Sequence, residues 1–279
     1  MPKNKIYNLF EKLRSRVNTN EMLSKITVNY YLSRKLKEMS ITEIKEIYSD
    51  EVVSSFLTEV YEDPNNIIKD LNDIEDIPLD EFIEIISIVS ESLGKMSGEF
   101  TTPITIMQLV LKILSIKEDD IFLDYGSGTG STLLSASKYT SNISGVEINP
   151  ESYMISRILL DLYDLPSDNI INKDVNEVNI NATKSNKIFI NMPLSMRMPK
   201  EQLQNVVERK FKNDLLKNIL NARDITWLYP LDVLENTNFE KSVMLINGGP
   251  LYSDINLDVR KYLVNNYIEL FTRYLIMLL

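Results

Sequence analysis

Asn191 ends a short apolar run, Ile188-Phe189-Ile190, and is followed by Met192-Pro193-Leu194. An amide at a strand end both accepts and donates hydrogen bonds, so its oxygen can hold a ligand amine. A strand that merely stops at a proline reads the same, and the surroundings must decide. Two further groups can do chemistry. The turn Asp124-Tyr125-Gly126-Ser127-Gly128-Thr129-Gly130 puts an acid at the mouth of a glycine-rich reversal, and Glu147 closes the next β-branched run. The chain has no histidine and no cysteine. Imidazole catalysis, zinc sites, disulfides and thiolate chemistry are therefore excluded, and proton transfer falls to carboxylates, lysine, tyrosine or water.

Glycines between a strand and a helix let the backbone reverse tightly and approach a ligand, with the helix N-terminus behind it. A carboxylate ending the next strand, as Glu147 does, can accept both hydroxyls of a ribose. Two cofactors fit this pair. A dinucleotide brings a pyrophosphate, which favours a turn with no acid at its mouth. S-adenosylmethionine brings a cationic sulfonium and an amino group, which Asp124 favours. A turn with no ligand is the third reading. No Gly-Lys-Ser/Thr follows, which argues against a triphosphate-binding loop.

The elements that must position these residues follow from periodicity. Residues 1–97 repeat apolar positions at three- and four-residue spacing, as in Ile6, Leu9, Phe10, Leu13 and Val17, or Phe82, Ile85, Ile86 and Val89. They predict a helical N-terminal domain of roughly five helices. From residue 98 to 279 short β-branched runs alternate with amphipathic stretches: strands at "DIFLDY", "ISGVEI", "NIIN", "KIFIN" and "SVMLING", and helices at "STLLSASKY", "ESYMISRILLDLY" and "DVRKYLVNN". One helix is expected over "KEQLQNVVERKFKNDLLKNIL" and a last strand in "YIELFTRYLIML", while "DITWLYPLDVL" reads equally as strand or helix. This rhythm implies an α/β domain with a mostly parallel, doubly wound sheet.

At this point four ordered segments resemble the N6-adenine DNA methyltransferases, in particular the modification subunit of type I restriction systems: "SGEFTTP", "FLDYGSGTGS", "GVEINPESYMISRILLDLY" and "RKYLVNNYIE". The likeness spans residues 90–275. It implies a class I S-adenosylmethionine-dependent methyltransferase of Rossmann-like fold. Residue by residue, it places Thr101, Thr102 and Pro103 against the methionine end of the cofactor, with Glu99 and Phe100 shaping the approach. Asp124, Gly126 and Gly128 would hold the amino-acid portion, Glu147 the ribose, Ile148 the adenine face and Asp174 the adenine amine. By themselves, Thr101-Thr102-Pro103 also reads as a helix cap and Asp174 as a turn residue.

The same resemblance gives Asn191 a role. In the family the fourth strand ends in Asn or Asp, then Pro-Pro and an aromatic residue. The Asn oxygen and the next carbonyl accept the two hydrogens of an adenine amine, and the aromatic stacks on a flipped base. This chain reads Asn191-Met192-Pro193-Leu194. The amide, the Met192 carbonyl and Pro193 are kept, but Leu194 removes a stacking face worth roughly 1–3 kcal/mol per base. The departure leaves two alternatives beside adenine: a peptide, protein or small molecule as acceptor, or a cofactor-binding relative without transfer.

Charge bears on partners. The net charge is −10, and it is uneven: +6 over residues 1–45, −13 over 46–99 and −3 over 100–279. A chain this acidic meets DNA only through a gathered basic face or through another subunit. The family implies a separate specificity subunit, and hence a hetero-complex. With no signal-like start and no apolar run long enough for a bilayer, no membrane partner and a cytoplasmic location are expected.

Overall fold

The computed structural model describes residues 21–64, 74, 76–97, 102–191, 198–219, 225–246, 249–267 and 274–278. The expected helix around Ile6–Val17 lies outside them. In chain order the helices before the first strand are α1 (Met22–Lys35), α2 (Ile41–Ile47), α3 (Glu51–Glu62), α4 (Leu79–Ser97) and α5 (Ile104–Leu114). Then follow β1 (Phe122–Tyr125), α6 (Ser131–Ala136), β2 (Ile143–Glu147), α7 (Pro150–Leu162), β3 (Ile170–Asn172) and β4 (Lys187–Ile190). The remainder is α8 (Lys200–Lys210), α9 (Asp214–Ile219), α10 (Leu228–Asn236), β5 (Lys241–Ile246), α11 (Gly249–Tyr252), α12 (Leu257–Tyr267) and β6 (Tyr274–Leu278).

The chain divides into two compact units. The first takes in the described residues before position 102 with Gly128–Leu134 and Asn149–Asn172; the second holds the rest. In the first unit α1 is buried on most of its sides and packs against α3, α4 and α7. Its polar side chains bond its own backbone, Thr27 to the Leu23 carbonyl at 2.8 Å and Asn29 to Lys25 at 2.7 Å. Tyr30 stacks on Phe82 at 3.7 Å. A polar seam ties α7 in: the Tyr153 hydroxyl donates to Asp50 at 2.7 Å, Arg157 donates to Tyr153 at 2.8 Å, and the Tyr163 hydroxyl donates to Asp80 at 2.8 Å. The buried face of α7 is covered by α1 and α3.

The sheet has the order β3-β2-β1-β4-β5-β6. The pairings β1–β2, β1–β4, β4–β5 and β5–β6 are all parallel. The order reverses at β1, from which β2 lies on one side and β4 on the other, so the sheet is doubly wound as expected. Tyr125 is level with Val146 on β2 and with Ile190 on β4. At the opposite strand ends a polar clamp joins β1, β4 and β5. Asn186 accepts from Ile121 N at 2.8 Å through its side chain and donates to Asp120 at 2.7 Å, while its carbonyl accepts from Glu240 N at 2.8 Å. The buried Lys187 ammonium meets Glu240 at 2.8 Å and Asp120 at 3.7 Å.

Two expectations change. The single helix over 200–220 is two, α8 and α9, because the buried Phe211 takes extended backbone between them. The ambiguous stretch is the helix α10, with Pro230 in its first turn, where a missing N–H costs nothing. Among the described residues no helix is long and apolar enough to cross a membrane.

Candidate active site

Parallel strands bring their C-terminal ends to one edge, and ligands of doubly wound sheets bind there, at the point where the order reverses. The register sets the row. Tyr125 pairs with Val146 and Ile190, so Gly126, Glu147 and Asn191 each lie one residue beyond a level set of three. Asp124, one residue back on β1, is buried.

The turn after β1 is built by glycine. Gly126, Gly128 and Gly130 have φ of 103°, 52° and 82°, a region that favours glycine. The N–H groups of Gly126 and Ser127 both donate to the Val146 carbonyl, at 3.1 and 2.9 Å, which folds the turn back over β2. A Cβ on Gly128 would meet nothing within 4 Å, so its backbone borders open space. A Cβ on Gly130 would come within 2.8 Å of the Ser156 Cβ, so that glycine serves close packing against α7. Ser127 Oγ is buried and has no hydrogen-bond partner among the described residues.

Glu147 is half-buried at the end of β2, and its carbonyl accepts from Lys173 N at 3.1 Å. Ile148 beside it is 61% exposed, an apolar surface next to a carboxylate. Asp174 starts a short 3-10 turn, Val175–Glu177, where its Oδ1 accepts from the Asn176 N–H and the Asn176 amide, each at 2.8 Å. One oxygen of Asp174 is therefore spent as a turn residue. Asn176 Oδ1 is buried and has no partner among the described residues.

Asn191 comes together with Thr102. Its Nδ2 donates to Thr102 Oγ1 at 2.7 Å, across 89 positions of sequence. Thr102 and Pro103 lead into α5, which packs on β4 and β5. That packing delivers the Thr102 hydroxyl to the end of β4. Glu99, Phe100, Thr101, Met192, Pro193 and Leu194 lie outside the described residues.

Sequence reasoning missed the support behind the turn from Asp174 to Val178. The Tyr125 hydroxyl shares its one hydrogen between the Val175 carbonyl at 2.7 Å and Asp232 Oδ2 at 2.9 Å. The Lys210 ammonium pairs with the same carboxylate at 2.5 Å. Burial, reinforced by the Asp232 charge, pushes the Tyr125 hydroxyl well above the ordinary tyrosine value, so it remains a donor. Tyr229, against Asn176, is pushed up to about 12, mainly by burial. The available signal was a Tyr inside the glycine motif and a pair of cations ending an amphipathic helix.

The family model for N-6 DNA Methylase matches residues 76–271. The chain belongs to the N-6 DNA methylase family. The chain is similar to the methylase subunit of the type I restriction enzyme MpnII of Mycoplasma pneumoniae, with 28% identity over 235 residues. That match takes in 71% of this chain and 43% of the relative, so the chain spans under half of the relative's length. It also resembles the crystal structure of a type I restriction-modification methyltransferase subunit from Streptococcus thermophilus. The TM-score is 0.58 at 16% identity, over 93% of this chain and 77% of that one. A chain from a structure of type I restriction-modification complex assembly gives a TM-score of 0.63 at 13% identity, over 94% and 67%. At these identities the likeness establishes the fold, that of class I S-adenosylmethionine-dependent methyltransferases.

Fold and family imply S-adenosylmethionine as cofactor, and the residues fit it. A buried acid precedes the turn, open space borders Gly128, and two buried polar atoms, Ser127 Oγ and Asn176 Oδ1, lack partners of their own among the described residues. Burying such atoms unpaired is costly, and a polar ligand would offset that cost.

Proposed function

We propose that the chain transfers a methyl group from S-adenosylmethionine to the exocyclic amine of adenine in DNA, as one subunit of a hetero-complex whose separate specificity subunit selects the sequence. The transfer machinery belongs to residues 98–279, with residues 1–97 as a helical N-terminal domain. The observation that carries the reading is the level row of Gly126, Glu147 and Asn191 at the reversal of the sheet, with Asn191 held by Thr102.

When bound, the cofactor supplies an electrophilic methyl group on a sulfonium. The protein's own residues do the rest. The buried carboxylate of Asp124 attracts the cationic amino-acid portion, and the backbone at Gly126 and Gly128 admits it closely. Glu147 would accept from the ribose hydroxyls, Ile148 would cover an adenine face, and the second oxygen of Asp174 would take the adenine amine. Asn191, its nitrogen end fixed on Thr102, accepts one hydrogen of the acceptor amine, and the Met192 carbonyl accepts the other. Both bonds would draw the lone pair out of the ring and aim it along the line of displacement, so positioning is most of the catalysis. An N–C bond would form as the C–S bond breaks, the sulfur leaving as the neutral thioether with the electron pair and the amine's surplus proton passing to water. On the family's pattern, Pro193 would stiffen the chain after this pair.

Leu194 favours a second acceptor class, a peptide, protein or small molecule, because it offers no ring for a flipped base. Transfer of labelled methyl to duplex DNA, to protein and to small-molecule fractions separates the two, with and without a cognate specificity subunit. Label on DNA that disappears in Asn191→Ala supports adenine; label on peptide or small molecule alone overturns it.

A further inference from the structure

We infer that Lys210, Asp232 and Tyr125 form a buried positioning group that fixes the turn from Asp174 to Val178 and thereby sets affinity for the adenosine end of the cofactor. The inference rests on the cofactor reading above. Lys210 Nζ lies 2.5 Å from Asp232 Oδ2 and donates to the carbonyls of Val175 and Val178 at 3.2 and 3.3 Å. Tyr125 OH shares its one hydrogen between Val175 O and the same Asp232 oxygen. The other Asp232 oxygen accepts from the Asn236 amide at 2.8 Å. One residue earlier, Arg209 donates to the Asn176 carbonyl at 3.0 Å.

The backbone acceptors of Lys210 Nζ and Tyr125 OH lie in this one turn. Tyr125 itself stands between Asp124 and Gly126, the two residues assigned to the amino-acid end. The group therefore links the wall for one end of the cofactor to the strand end that holds the other. A buried ion pair is seldom the most stable filling of a core, which points to a service other than stability. That service is the placement of Asp174 and Asn176: the turn has only three residues of 3-10 helix, and without donors from below its carbonyls would turn toward water.

The test uses the full chain and two probes, S-adenosylhomocysteine and 5′-methylthioadenosine, which lacks the amino-acid portion. Binding is read by calorimetry, with thermal melts to show that each variant is folded. Tyr125→Phe, which removes one oxygen, and the charge-neutral pair Lys210→Met with Asp232→Leu should each weaken both probes about tenfold, the worth of one lost hydrogen bond. Asp124→Ala should weaken S-adenosylhomocysteine far more than 5′-methylthioadenosine. Folded variants with unchanged affinity for both probes overturn the positioning role and leave the cofactor reading intact. A wild-type chain that binds neither probe overturns both. Should the paired variant fail to fold, Tyr125→Phe alone decides.

Discussion

Gly128 and Gly130 lie two positions apart in one motif and answer to different constraints. Gly128 borders open space, whereas a Cβ at Gly130 would sit 2.8 Å from Ser156 Cβ with φ at 82°. Gly130→Ala should therefore destabilise the protein by more than about 2 kcal/mol, the sum of left-handed strain and overpacking, as read from denaturant melts. Gly128→Ala should cost only about 1 kcal/mol of stability yet abolish binding of S-adenosylhomocysteine, because the added methyl fills the ligand's approach. Thr102 gives a third test. Thr102→Val keeps shape and removes the acceptor for Asn191 Nδ2. It should lower the methyl-transfer rate about tenfold while changing cofactor affinity much less. Equal losses in both would make Thr102 a binding residue only.

Elements explain why these residues meet. Parallel register makes Glu147 and Asn191 level, and α5 delivers Thr102. Helix α7 begins with Asn149, whose side chain accepts from Glu151 N and Ser152 N at 2.9 and 3.2 Å, with proline at the first turn. Asn149→Ala should cost about 1 kcal/mol in equilibrium unfolding. Much of this was legible in the sequence. The turn Asp124–Gly130, the acid at 147 and the β-branched alternation carry local signals of period and turn chemistry. The break at Phe211 did not, since apolar spacing continues across it and burial decides the backbone. The Lys210–Asp232–Tyr125 group did not either, because its members are 22 and 107 positions from one another and only the folded core joins them. Asp174 was readable both as ligand and as turn residue, and the geometry shows one of its oxygens serving the turn.

At the scale of the molecule, both compact units bury tyrosine hydroxyls. Burial raises Tyr153 and Tyr229 from the ordinary 10.0 to about 12, and raises Tyr31, Tyr48 and Tyr125 further. A raised folded-state value means that the folded chain keeps protons the unfolded chain has released. This contribution is complete below about pH 10 and is lost as pH climbs through 10 towards 12 and beyond. Melting temperature should thus fall steeply above about pH 10, together with rising tyrosinate absorbance. The helical segment before the sheet makes a second prediction. Its Asp50 and Asp80 accept from Tyr153 on α7 and from Tyr163 at the end of α7. Deleting residues 1–97 should leave a chain that aggregates on expression, because the buried face of α7 loses its cover.

The clamp of Asn186, Asp120 and Lys187 sits at the strand ends away from the row of Gly126, Glu147 and Asn191. Alignment of the strands is thereby also held at the end far from that row. On the proposed reading, an aromatic ring placed at position 194 should raise transfer of labelled methyl to DNA without letting β4 slip by a residue.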